Sequence, residues 1–293
     1  MDIGLALPIR NDVDAKCNIE IAKKAETLGY DSVWVSDHIV IPHKHKGRFT
    51  NIFHDPFVLL SYIAGVTEKI KLGTSLIILP YRNPIVVAKM ISTLDQLSEG
   101  RVIFGVGTGW MKEEFEILGV PFEERGKRTN EYIEIIKNLW TENDPSFTGE
   151  FYNYHDIKFE PKPLQKPYPG IIVGGNSKKA IERAVKCGNG WQPTAISPEE
   201  YGEELKQIKK SINPDIFVFS VRNRVDIGTD KNNTAGPGFY TFRGSVSEIT
   251  NEAIKFRDLG INHLLFDPAV ETMEDYYRTM DIVSNEILPI IRN

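Results

Sequence analysis

Cysteine is scarce: only Cys17 and Cys187 occur in 293 residues. They lie far apart, each inside a helix-like pattern, so they offer no disulfide framework and read as buried thiols of a reduced protein. The sequon Asn232-Asn-Thr234 then carries no expectation of glycosylation. Positive charge is short too, with 35 Lys and Arg against 40 Asp and Glu and a net charge of −5. That leaves no basic footprint, and no nucleic-acid partner is expected. No apolar run approaches the length of about 18 residues that marks a membrane span, so no membrane association is expected. The strand-like Asp2-Ile-Gly-Leu-Ala-Leu-Pro8 begins at once, leaving no room for a signal peptide, and a cytoplasmic location is expected. Internal repeats and low-complexity linkers are missing. So are a Gly-x-Ser-x-Gly elbow and a credible Cys–His pairing, which weighs against nucleophilic hydrolysis.

What is present is alternation of strand-like and helix-like segments along the whole chain. Ile3 to Leu7 reads as a strand. Asn11 to Leu28 reads as a helix with Ile19, Ala22, Ala25 and Leu28 at helical spacing and Gly29 as its stop. Ser32 to Ser36 is a second strand, and Asp55-Pro56 opens a helix to Val66. The stretch Lys71 to Pro84 reads as a third strand, apolar without alternation from Leu76 to Leu79, as suits a strand covered on both faces. Small residues at Gly73, Thr74 and Ser75 mark a bulge or a close approach to the backbone. A helix follows to Leu97, then a strand Arg101 to Gly109 and a helix Glu123 to Trp140. Residues 147–169 break the period and read as a small hairpin insertion. Strand–helix units then resume to Ile291, with a long polar loop from Thr229 to Phe242.

About eight such units in a single domain spanning 1–293 imply parallel strands with right-handed crossovers. An open doubly wound sheet is one solution. A closed barrel is favoured, because no strand reads as an amphipathic edge. Its chemistry would sit on the loops after the strands' C-terminal ends.

Four strand ends then converge: Asp37-His38, Thr74-Ser75-Leu76, Gly105-Val-Gly107-Thr108-Gly109 and Gly174-Gly175-Asn176. Glycines at such ends free N–H groups to face a phosphate, or else they are tight turns that need positive φ. His38 is a candidate for proton exchange, or a loop-bonding histidine. Trp34, inside a strand, reads as core, while Trp110 just past a glycine-rich end could wall a pocket. A metal is disfavoured. Although His43, His45 and His54 lie near Asp37, His38 and Asp55, His43-Lys-His45 sits in a lysine-rich loop that would repel a cation.

The chain resembles the bacterial luciferase-like monooxygenase superfamily at Tyr30-Asp-Ser-Val-Trp-Val-Ser-Asp-His38, Leu72-Gly-Thr-Ser-Leu76, Arg82-Asn-Pro84, Thr93-Leu-Asp-Gln-Leu-Ser-Glu-Gly-Arg101, Gly105-Val-Gly-Thr-Gly-Trp110, Phe122-Glu-Glu-Arg-Gly126 and Val173-Gly-Gly175. The resemblance implies a (β/α)8 TIM barrel with FMN or the deazaflavin coenzyme F-420 in its mouth. It also implies a non-prolyl cis peptide between Ser75 and Leu76, serving as a backstop for the ring. The pattern is similar to the F-420-dependent branch. In some sugar-phosphate dehydrogenases of that branch a proton-transferring Glu follows Gly-Thr-Gly. Here Trp110 takes that place and suits an apolar or ring-shaped small-molecule substrate.

The resemblance thus implies an oxidoreductase moving a hydride between F-420 and an organic substrate, with FMN and O2 as the alternative chemistry. A non-catalytic flavin-binding barrel is more distant. His38 would exchange the proton. Asp37, His38, Thr74, Ser75, Leu76, Gly107, Thr108, Gly109, Gly174, Gly175 and Asn176 would hold the cofactor. The loops Pro42 to Asn51 and Thr229 to Phe242 would be lids, and the helices after the second and third strands would form a homodimer.

Overall fold

The computed structural model describes residues 1–45, 52–228 and 240–292. The ends of both expected lid loops (46–51 and 229–239) and the sequon lie outside the described residues. Eight parallel strands form the frame: β1 (Asp2–Ala6), β2 (Ser32–Val35), β3 (Lys71–Thr74), β4 (Val102–Gly107), β5 (Ile171–Gly174), β6 (Gly190–Gln192), β7 (Val218–Ile227) and β8 (His263–Pro268). Each pairs with its successor. The ring closes where β1 meets β8, with Asp2 opposite His263 and Leu5 opposite Phe266. Closure pairs each of these eight strands on both sides, and a short parallel strand, Thr241–Gly244, lies beside the outer half of β7 with Thr241 opposite Arg224.

Helices cover the outside: α1 (Ala15–Thr27), α2 (Pro56–Ala64), α3 (Pro84–Leu97), α4 (Lys112–Ile117), α5 (Arg125–Thr141), α6 (Lys178–Cys187), α7 (Pro198–Ile208), α8 (Val246–Asp258) and α9 (Met273–Ile282). Their starts are written in the sequence. Asp55 and Asn83 each accept two backbone N–H bonds ahead of a Pro in the first turn. Ser197 and Ser245 form reciprocal capping boxes with Glu200 and Glu248. The first helix starts later than Asn11, because Asp14 accepts the Cys17 N–H and caps it there.

Successive strand residues point alternately to the helices and to the barrel axis. The outward set, including Ile3, Leu5, Val33, Leu72, Phe104, Val173, Val221 and Phe266, joins the helices in one large apolar core. The inward set is small. Trp34, Ile103, Ile172 and Leu265 fill the barrel as a separate cluster. Trp34 is buried as expected, and its indole N–H donates to Ser32 Oγ at 2.8 Å. Its ring occupies the space a side chain on Gly73 would need, so the neighbouring strand has to present a glycine there.

Two local features were not expected from the pattern. Residues 112–117 form a short helix, α4, so β4 stops at Gly107 rather than Gly109. The last helix is broken by a π turn over Val283–Ile287 before Leu288–Arg292. Pro289 has no N–H for the ladder and crowds the carbonyl four residues back, which shifts the bonding register. The insertion is the expected small hairpin, with Phe147–Thr148 against Asn153–Tyr154. Its turn is pinned by Glu131, which accepts the N–H groups of Glu150, Phe151 and Tyr152. Among the described residues no helix is long and apolar enough to cross a membrane. Both cysteines are free thiols.

Candidate active site

The barrel's third strand is interrupted where the sequence places its small residues. β3 ends at Thr74, the Ser75–Leu76 peptide is cis, and a two-residue strand, Ile77–Ile78, resumes pairing with β4. Thr74 patches the gap. Its hydroxyl donates to the Gly105 carbonyl at 2.8 Å and accepts the Gly105 N–H at 2.9 Å. Thr74 is therefore turned to β4 and fully buried, not towards the mouth. Leu76 is half-buried, and its side chain lies across the wall at Gly107 and Gly174. A Cβ on Gly174 would overlap the Leu76 side chain. These two glycines thus make room for an apolar platform over the strand ends.

The structure gives Asp37 a different task from cofactor contact. Its carboxylate has no exposed surface and takes a bidentate pair of bonds from Arg82 at 2.6 and 2.9 Å, plus the Ile78 N–H at 2.9 Å. Burial pushes the Asp37 carboxyl above its ordinary range, and the Arg82 hydrogen bonds and charge pull part of that back. Arg82 also reaches Asp55 at 3.0 Å. Asp37 therefore locks the resumed third strand and the start of α2 into place.

His38, one residue on, is held by a partner that local pattern does not reveal. Its Nδ1 lies 2.6 Å from Glu114 Oε2 on α4. Glu114 is fully buried and also accepts the N–H groups of Ile39 at 2.7 Å and Val40 at 3.1 Å and the Tyr81 hydroxyl at 2.9 Å. Burial acts to raise its pKa, but the His38 bond and charge and the two backbone donors outweigh it, so the carboxyl lies below its usual range. Burial and the charge of Glu114 push the Tyr81 phenol up, which keeps it a donor. The Glu114 contact at Nδ1 fixes how the His38 ring is held. The His38 ring stands edge-on to Phe53 (centroids 5.0 Å apart) and to Trp110 (6.2 Å). Trp110 is half exposed and also lies edge-on to His45, 5.6 Å away. His45 and Lys44 in turn pair with Glu113, so α4 fastens the described part of the loop after β2.

A band of polar side chains crosses the barrel above Trp34. Ser75 Oγ donates to Gln192 Oε1 at 2.7 Å, and Gln192 Nε2 donates to Ser220 Oγ at 2.9 Å. Arg222 Nη1 donates to Ser36 Oγ at 2.8 Å and to the Ser75 carbonyl at 2.9 Å, while Nη2 holds Asp267 at 2.9 Å. Gln192, Ser220, Arg222 and Asp267 were not among the expected site residues. Their one signal is a polar residue at an inward position of a barrel strand.

The glycine ends divide. Thr108 and Gly109 stay partly exposed beside Trp110, with Gly109 at φ +76° against Ile78 and Phe115. Gly175 donates its N–H to the Gln192 carbonyl at 3.1 Å. Asn176 is exposed, but its amide exchanges two bonds with the Thr194 backbone, at 2.7 and 3.0 Å. These two residues tie the end of β5 to that of β6. Beside the site, a void of about 20 Å³ lies between the ends of β1 and β2 and residues 52–54. Among the described residues Asn18 Oδ1 and His54 Nε2, both among its walls, have no hydrogen-bond partner, and a void of this size takes one water. Among the described residues no three His, Cys, Asp or Glu side chains gather to hold a metal.

Residues 1–213 match the model of the luciferase-like monooxygenase family. The chain is 37% identical over 179 residues to an F420-dependent glucose-6-phosphate dehydrogenase of Amycolatopsis mediterranei, covering 59% of this chain and 51% of that protein. It is 33% identical over 203 residues to an FMNH2-dependent dimethylsulfone monooxygenase of Pseudomonas putida, covering 68% and 54%. The matches thus span about half the length of these two relatives. Among solved structures, an F420-dependent secondary alcohol dehydrogenase in complex with an F420–acetone adduct superposes with a TM-score of 0.83 at 20% identity over 100% of this chain and 99% of that one. At that identity the likeness is one of fold.

Proposed function

The chain belongs to the luciferase-like monooxygenase family, and from that premise we propose that it is an oxidoreductase using coenzyme F-420 on a small organic substrate in the barrel mouth. The observation that carries this reading is the His38–Glu114 pair, 2.6 Å apart, beside the interrupted third strand. The side chains present suit a flat heterocycle. Leu76 offers it an apolar face, and Ser36, Ser75, Gln192 and Arg222 supply donors and acceptors around it. Thr108 and Gly109 are the partly exposed backbone left to receive a phosphate. The cofactor, when bound, supplies hydride chemistry. His38 Nε2 then exchanges the accompanying proton at the substrate, Glu114 holds the ring in place through Nδ1, and Trp110 walls the pocket and limits water.

The kinship with an FMNH2-dependent monooxygenase favours a second reading, in which reduced FMN and O2 replace F-420. Titrating the purified protein with each cofactor by fluorescence, then following O2 consumption on adding the reduced forms, separates the two. Tight F-420 binding with redox exchange indifferent to O2 supports the first reading. FMN-dependent O2 uptake would replace it with the second, and binding of neither cofactor would sink both.

We further propose that two copies pair through α2 and α3, where Val58, Tyr62, Val86, Met90 and Leu97 are exposed. Sedimentation at micromolar concentration should give a dimer that Tyr62→Asp with Met90→Asp converts to a monomer. A monomeric parent protein refutes this.

A further inference from the structure

β7 is the longest strand of the barrel, ten residues, and it carries a polar ladder on its inner face. Phe219, Val221 and Val225 face the helices and are buried. The alternate positions, Val218, Ser220, Arg222, Arg224 and Asp226, therefore face the axis. They climb from the Trp34 cluster, which Val218 touches, through the Gln192 bond of Ser220, to Arg222 at the polar band. Arg224 stands one step higher and is exposed. Two strand residues advance roughly 6–7 Å, which puts Arg224 about that far above Ser36 and Ser75.

The charges around it are already matched. Arg222 holds Asp267, Arg243 holds Asp226 at 3.1 Å, and Arg10 holds Asp12 at 2.8 Å. Asp267 lies opposite Arg224 in the strand register, yet it is drawn down to Arg222. Among the described residues the Arg224 side chain makes no ion pair or hydrogen bond. An inward-facing guanidinium left over at the open end of a barrel is a fork suited to bidentate capture of an oxyanion. Arg222 also touches Ser36, two residues before His38, so the same strand face leads from Arg224 to the proton-exchanging histidine.

Resting on the oxidoreductase reading above, we propose that the substrates are small organic anions, whose carboxylate, sulfonate or phosphate is received by Arg224 while the reacting carbon lies over Leu76 near His38. Arg224 is then the residue that selects the substrate class. The cofactor's phosphate is a separate anion, expected at the ends of β4 and β5, with β6 intervening between them and β7.

The test uses the full chain, with and without cofactor, in two calorimetric arms. In the first, hexanesulfonate, hexanoate and hexyl phosphate are titrated beside neutral hexanamide. The anions should bind at least about tenfold more tightly than hexanamide, consistent with one charge-assisted fork. Arg224→Ala should remove that preference, Arg224→Lys should restore part of it, and hexanamide should be unaffected. In the second arm F-420 and FMN are titrated into the same variants, and their affinities should not change. Anions binding no better than hexanamide, or binding Arg224→Ala as well as the parent, overturns the proposal. So does an Arg224→Ala protein that keeps the anions but loses the cofactor. Failure of the parent to bind either cofactor, with anion preference intact, would instead count against the oxidoreductase reading alone.

Discussion

His38 and Glu114 form a unit in which the buried carboxylate sets the histidine tautomer and the loop around it. Replacing His38 with Ala should lower turnover by about 10²–10⁴-fold, the usual contribution of general acid–base catalysis, with little change in cofactor affinity. Unchanged turnover would take His38 out of the mechanism. Glu114→Gln keeps the shape but removes the carboxylate that holds His38 Nδ1. Its turnover should fall with little change in melting temperature, whereas a purely structural role would lower the melting temperature and leave turnover alone. Glu114→Ala strands the N–H groups of Ile39 and Val40 and the Tyr81 hydroxyl in a buried space. Each such group costs about 1–3 kcal/mol, so this variant should melt well below Glu114→Gln. The folded pKa of Glu114 is depressed. Its stabilising effect is therefore complete above the unfolded carboxyl pKa and fades as pH falls through the lower folded value.

At the scale of elements, the third strand is held from three sides: Thr74 to β4, Asp37 to Ile78, and Arg222 to Ser75. Arg82→Ala should destabilise the fold by roughly 3–5 kcal/mol, because it leaves the Asp37 carboxylate buried without its cation. Denaturant unfolding would measure this, and a loss under about 1 kcal/mol would mean that water reaches Asp37. Gly174→Ala acts on the platform instead. The new methyl group collides with Leu76, whose branch must swing away. Cofactor affinity should fall while the melting temperature changes little, whereas a Leu76 that merely fills space would give the reverse. Gly73→Ala meets the rigid Trp34 ring and has no such escape, so it should cost about 1–3 kcal/mol or more.

At the scale of the whole molecule, the barrel's closure buries a histidine at its lower end. His263 sits on β8 near Trp34, its Nδ1 has no hydrogen-bond partner among the described residues, and Asp2 is 3.8 Å from its Nε2. Burial lowers its pKa to about 4, the attraction of Asp2 offsetting only part of this. The unfolded chain, with an ordinary histidine, binds the extra proton first. Stability should therefore fall as pH drops from about 6.5 towards 4, by an amount on the order of 3 kcal/mol at most. His263→Gln should flatten that part of the stability–pH curve. An equal slope in the variant would assign the acid sensitivity to other groups.

The chain's local pattern determined the eight strand–helix units, the caps that start α2, α3, α7 and α8, the burial of Trp34, the break at Ser75 and the placing of His38 and Trp110 at one mouth. These are legible because periodicity, capping and turn chemistry act between residues a few positions apart. Only the closed barrel decided that Glu114 would hold His38 across 76 positions and that Arg222 would meet Ser36 across 186. It also turned Asp37 inward to Arg82, engaged Gly175 and Asn176 with β6, and left Arg224 without an acid. Such pairings depend on ring closure and strand register, which bring distant residues to one face, and no nearest-neighbour signal in the sequence encodes them.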